Sequence, residues 1–194
     1  MNTLTRYSVL CRASIDGDTL YGHAAVFGQV AKVPGGYEQL NTRAFDDVLA
    51  KQVVANTETD TTALINHDPH QLLGRLSSGT LRVKADAEGL AFEVDLPDTS
   101  YANDLRKLVA RGDMTGASFG FIPGNDGTYT RTSDGAQLHT INTVTHLRDV
   151  SPVTFPAYAG AGVALRSYDL DRPSGRSQLI RARARVHLGR GADA

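Results

Sequence analysis

A single cysteine, Cys11, rules out an internal disulfide and every multi-cysteine zinc pattern, and fits a reducing compartment. Tryptophan is absent and aromatic residues make up only 7% of the chain, so no aromatic–basic surface of the kind that binds nucleic acid stands out. No apolar run approaches the roughly 20 residues that a membrane-spanning helix needs. The opening "MNTLTRYSVL" is too polar for a signal peptide. These absences predict an intracellular protein that is not secreted and has no membrane partner.

What is present is globular. Hydrophobic residues make up 41% and charged residues 21% of 194 residues, enough for one domain with a real core. The net charge of −1 is unevenly spread: from Arg166 onward there are seven arginines and three aspartates, a local +4, which leaves −5 on the first 165 residues. We therefore expect an acidic domain over 1–165 and a basic, flexible tail over 166–194. Arginine content alone does not make that tail a nucleic-acid binder, and nucleic acid is not an expected partner.

Strand patterns dominate. "TLYGHAAVFG" reads as a strand ending at Gly28, "VPGGYEQL" as a turn and a short strand, and "GTLRVKADAEGLAFEVDL" as a hairpin around Gly89. "TTALINHD" is a short strand running into a polar loop. "TRAFDDVLAKQ" has helical spacing with Thr42 as a candidate cap. "DTSYANDLRKLVARG" is the clearest helix: Ala102, Leu105, Leu108 and Val109 share a face, a cap is available among 98–100, and Gly112 stands at its end. The strand "ASFGFIP" follows. After a Gly/Asp/Ser-rich loop come "QLHTINTVTHLRDVSPVTFP" and the turn "PAYAGAG". The expected class is mainly β or α+β: a small antiparallel β-barrel, closed or nearly so, flanked by a few helices.

Three polar positions invite chemistry. Alternation puts Ser118, Gly120 and Ile122 on one strand face and Ala117, Phe119 and Phe121 on the other. Small neighbours keep a nucleophilic hydroxyl accessible; equally, a serine in a tight strand can be satisfied by backbone bonds. In "LINHDPHQLLG", His67 and His70 stand where an apolar strand turns polar, suited to a base or simply to a turn marked by Asp68 and Pro69. A metal reading of His67, Asp68 and His70 lacks supporting cysteines or a second ligand cluster. Regular alternation places Asp149 on an apolar face with Ile141 and Leu147, where a carboxylate needs a partner such as a histidine. His146 is a rival third member. "GASFG" matches Gly-x-Ser-x-Gly literally, but a nucleophile elbow needs strand, turn and then helix, whereas here a helix precedes and a strand follows.

Taken together, the motifs resemble the prohead maturation proteases of tailed phages, a family distantly similar to the herpesvirus assembly proteases. The resemblance runs over about residues 20–160. It rests on "YGHAAVFG", "GGYEQLNTRAFDDVL", "INHD", "LLGRL", "EGLAFEVDLP", "LRKLVARGDMTGASFGF" and "LRDVSPVTFPAY" in that order. It implies a serine endopeptidase whose histidine, serine and acidic positions fall on His67, Ser118 and Asp149. Relatives commonly carry Glu at the last position. Arg148 or backbone amides near Ser118 would supply oxyanion donors, with Gly120 and Phe119 as supporting residues.

The resemblance implies no cofactor and no metal. The implied substrates are scaffold and the major capsid protein, cut within the procapsid interior in the host cytoplasm. Self-cleavage and self-association are further expectations, and the basic tail would suit docking to scaffold or self-processing. The alternatives are a catalytically silent relative acting as an assembly module and a metal hydrolase built on "HDPH".

Overall fold

Alternating apolar residues and turn glycines divide the chain into thirteen strands and two helices among the residues that the structure, a computed structural model, describes: 5–9, 13–16, 18–33, 36–52 and 60–155. The "PAYAGAG" turn, the basic tail and the expected boundary at 165 lie outside them, as does Cys11.

Numbered along the chain, the strands form three sheets. The first contains β1 (Thr5–Val9), β10 (Gly116–Pro123), β13 (Val144–Val153), β6 (Thr62–Ile65) and β7 (Asp68–Arg75), in that spatial order. The second orders β2 (Ala13–Asp16), β3 (Thr19–Val26), β9 (Gly89–Asp95) and β8 (Leu81–Ala85). The third orders β11 (Thr128–Arg131), β12 (Gln137–Ile141), β5 (Gly36–Leu40) and β4 (Val30–Val33). The class is mainly β with few helices, as the alternation predicts. The expected closed antiparallel barrel is replaced among the described residues by three separate sheets, of which the second is antiparallel throughout and the other two are mixed, with β12 and β5, and β13 and β6, pairing in parallel. Parallel partners lie far apart in sequence, so alternation within one segment does not reveal them.

Two elements differ locally from the sequence reading. The polar loop expected after "TTALIN" is only two residues long: Ile65 pairs with Asp68, and "DPHQLLGR" continues as β7. Pro69 is tolerated because β7 is an edge strand, where a missing N–H costs no ladder bond. Helix α1 (Asp46–Gln52) starts later than a Thr42 cap requires; instead Asn41 Oδ1 accepts from the Arg43 N–H at 3.0 Å and turns the chain before it. Helix α2 (Ser100–Arg111) follows the sequence closely. Thr99 accepts from the Ala102 N–H, Gly112 ends the helix at φ 79°, and Ala102, Leu105 and Val109 are buried. Leu108 stays 37% exposed.

The core gathers on one face of β10. Phe119 and Phe121 stack with centroids 4.8 Å apart, and Phe45 from the turn before α1 meets Phe119 edge-on at 5.7 Å. All three rings are fully buried, and each contributes on the order of 1.5–3 kcal/mol by leaving water. That anchoring turns the opposite face of β10, bearing Ser118 and Gly120, toward the polar residues of β13 and the β6–β7 turn.

Candidate active site

Directly paired residues on antiparallel strands project their side chains to the same side. Ser118 pairs with Ser151 and Gly120 with Asp149, so all four lie on the polar face. Between Gly120 and Phe121 the register shifts: Phe121 pairs with Leu147, leaving Arg148 as an extra residue on β13. This bulge corrects the regular alternation that would put Asp149 on one face with Leu147. Leu147 faces the core beside Phe121, while Asp149 is turned to the Ser118 side. The bulge thus removes a carboxylate from an apolar face and gives it polar neighbours.

His67 arrives from the other side of β13. It is the second residue of the two-residue turn between β6 and β7, and both turn residues have positive φ: Asn66 52° and His67 60°. These are the φ signs of a type I′ hairpin turn, which favours Asn at its first central position and usually Gly at its second. A histidine in this conformation carries a strain of order 1–3 kcal/mol that the surrounding structure must offset. Three bonds do so. The Asn66 N–H donates to the Pro152 carbonyl at 2.9 Å, and Asn66 Oδ1 accepts from the Thr154 N–H at 2.9 Å. The buried Thr61 hydroxyl donates to the Leu147 carbonyl at 2.8 Å, fastening β6 to β13.

The result is a continuous chain of polar contacts. His67 Nδ1 lies 2.5 Å from Asp149 Oδ1, and His67 Nε2 lies 2.7 Å from Ser118 Oγ. A carboxylate only accepts, so Nδ1 carries the proton and Nε2 presents a lone pair to the Ser118 hydroxyl. Ser118 is fully buried, and the His67 and Asp149 side chains are 11% and 7% exposed. An imidazole held this way can take a proton from Ser118 while the carboxylate stabilises the resulting cation.

The structure brings together His67, Ser118 and Asp149, with Gly120 directly beneath the carboxylate. A Cβ at Gly120 would collide with Asp149 Oδ2 and stand 3.7 Å from Arg148 Cβ. The small residue there makes room for the carboxylate rather than for substrate alone. Arg148 is exposed and has no acidic partner among the described residues. Phe119 does not join them: its ring is packed in the core against Phe121. His146 pairs with Ile122, away from Asp149, and its Nδ1 meets Thr145 Oγ1 at 3.2 Å.

His70 is exposed on β7 and its N–H donates to Asp68 Oδ1 at 2.9 Å. That bond and one from the Gln71 amide hold the Asp68 carboxyl below the usual carboxylate range. Among the described residues, no three His, Cys, Asp or Glu side chains are placed to hold a metal ion.

Sequence reasoning missed Asn66 and Ser151. Asn at the end of an apolar strand was the available signal for the first, since Asn tolerates left-handed backbone. Ser151 offered no local signal.

No curated protein matches the chain. Among solved structures, the bacteriophage T4 capsid assembly protease aligns with a TM-score of 0.47 and 13% identity, covering 79% of this chain and 98% of that one. The profile of the caudovirus prohead serine proteases matches residues 8–173, which span every strand and helix described above except the start of β1. The chain belongs to the caudovirus prohead serine protease family.

Proposed function

We propose that the protein is a serine endopeptidase of phage head maturation, with Ser118 as nucleophile, His67 as general base and acid, and Asp149 as the group that orients and stabilises the imidazole. The observation that carries this reading is the double engagement of His67, Nδ1 with Asp149 and Nε2 with Ser118. Ser118 Oγ attacks a peptide carbonyl as its proton passes to His67 Nε2. The imidazolium then protonates the departing amine, leaving an acyl-enzyme. Water attacks the acyl carbon by the same route in reverse, releasing the acid and restoring Ser118.

The tetrahedral oxyanion needs donors. β10 lies between β1 and β13, so its amides serve ladder bonds on both sides. The Arg148 guanidinium, carried on the bulge next to Gly120 and without an acidic partner among the described residues, is our candidate donor to the oxyanion or to a substrate carbonyl. Family membership supports scaffold and capsid protein as substrates, cut inside the procapsid in the host cytoplasm. Cleavage of the protein's own tail, and self-association at high local concentration, belong to the same proposal.

One observation favours a second reading. Ser118 is fully buried, as it would be in a silent relative that serves only as an assembly or scaffolding module. Co-expression with the cognate capsid protein separates the two. Intact masses are compared for wild type and Ser118→Ala. Trimming that disappears in the alanine variant supports the peptidase; unchanged masses with particles still assembling support the silent module. Trimming that survives Ser118→Ala refutes the assignment of the nucleophile.

A further inference from the structure

We infer that Ser151 is a positioning residue for the acid–base pair: its hydroxyl locks the Asp149 carboxylate through which His67 is held. This rests on the roles proposed above for Ser118, His67 and Asp149, and goes beyond them to a fourth side chain.

Ser151 stands two residues after Asp149 on β13, past the bulge, where alternation is regular again. Both side chains therefore lie on the face of Ser118, which pairs directly with Ser151. Ser151 is fully buried, and its hydroxyl donates to Asp149 Oδ1 at 2.6 Å. Two donors thus converge on one oxygen, Ser151 O–H and His67 Nδ1–H. The carboxylate of an aspartate turns about a broad torsional well, so one donor leaves its plane poorly fixed. Two donors on Oδ1, with Oδ2 lodged over the bare Cα of Gly120, leave it one orientation.

The second effect is electrostatic. The Ser151 hydroxyl places a charge-assisted hydrogen bond on the same carboxylate oxygen that faces His67 Nδ1. The proton on Nδ1 then remains with His67, which keeps Nε2 as the acceptor facing Ser118. Geometry ties these parts together further along the strand. The residue after Ser151, Pro152, accepts the Asn66 N–H. One short stretch of β13 therefore carries the carboxylate, its donor and the anchor of the turn that presents His67.

The test measures phosphonylation of Ser118 by a fluorophosphonate probe, in which the serine oxygen bonds to phosphorus as fluoride leaves and which reports nucleophile activation without a physiological substrate. Four proteins are compared: wild type, Ser151→Ala, Asp149→Ala and the double variant. Ser151→Ala should lower the maximal labelling rate about tenfold to a hundredfold, the range for losing a bond to a charged group, with little change in probe affinity.

Its pH–rate profile should change as well, because the imidazole then faces a carboxylate held by one bond fewer. In the Asp149→Ala background, removing the Ser151 hydroxyl should cost nothing further. Wild-type labelling at Ser118 together with an unchanged rate and profile in Ser151→Ala overturns the positioning role alone. An equal loss in both backgrounds, paralleled by a fall in melting temperature, also overturns it and assigns Ser151 to packing. Absence of labelling in the folded wild-type protein instead overturns the proposed nucleophile.

Discussion

Gly120→Ala adds one methyl group at the point where the site has least room. The new Cβ would lie closer to Asp149 Oδ2 than real Cβ atoms come to any neighbour, and 3.3 Å from Cγ. β10 is paired on both sides, so its backbone cannot give way, and the obstacle is the short carboxylate itself. Relief requires that carboxylate to retreat by about 1 Å, pulling on the 2.5 Å contact with His67 Nδ1. A misplacement of about 1 Å in a catalytic constellation costs about a hundredfold in rate. That is about 2.7 kcal/mol of transition-state stabilisation. The folding cost of overpacking is separate, about 1–3 kcal/mol, and leaves a domain of ordinary stability folded at room temperature. Fluorophosphonate labelling and thermal melting, run side by side, resolve the two. We expect labelling to drop about a hundredfold while the melting transition stays cooperative. Labelling at the wild-type rate, or a loss matching only the unfolded fraction, would refute the claim that Gly120 makes room for the carboxylate.

Two further outcomes follow from the described contacts. Asn66→Ala removes a residue that tolerates φ 52° and the acceptor for the Thr154 N–H. It should cost about 1–3 kcal/mol in chemical denaturation, whereas Asn66→Gly should retain most of the backbone tolerance and lose mainly the bond. A cost in Asn66→Gly equal to that in Asn66→Ala would show that the left-handed backbone is not what matters. At the other end of the molecule, Arg82 bonds to Asp95 at 2.8 Å and holds that carboxyl below the usual range, aided by Thr19 and opposed by burial. A depressed folded-state value stabilises above the unfolded value, about pH 3.9 for Asp, and the contribution is lost as pH falls through the folded one. With both side chains about half exposed, Asp95→Asn should cost under about 1 kcal/mol at pH 7. The difference should vanish in strong acid and shrink in high salt; a difference independent of pH would contradict it.

The parts of the fold that the sequence announces are those fixed by near neighbours. Helix α2 is legible from Thr99, the spacing of Ala102, Leu105 and Val109, and Gly112, all within one turn of what they determine. The β8–β9 hairpin is legible for the same reason. The three polar residues of the site stand out by their local surroundings and take their roles from the resemblance, whereas their meeting depends on pairings that no local pattern encodes. Regular alternation misplaced Asp149 because the bulge at Arg148 exists only in register with β10. β7 was read as a loop because Asp68 and Pro69 look like a turn, although an edge strand accommodates both. β11 hides in a Gly/Asp/Ser-rich stretch and its own four residues are all exposed, so no apolar alternation marks it.

The placement of β13 between β10 and β6 has a consequence for biosynthesis. β6 and β10 leave the ribosome first, yet until residues 144–153 follow they have no common neighbour in the sheet. The contacts that join the site span 82 residues from His67 to Asp149 and 51 from His67 to Ser118. Such long-range pairings form late in folding. A nascent or truncated chain ending before β13 therefore holds a serine and a histidine with no strand to align them. The meeting of His67 with Ser118 and Asp149 is therefore completed only when the central strand slots into place, and a fragment that lacks this strand cannot assemble the site.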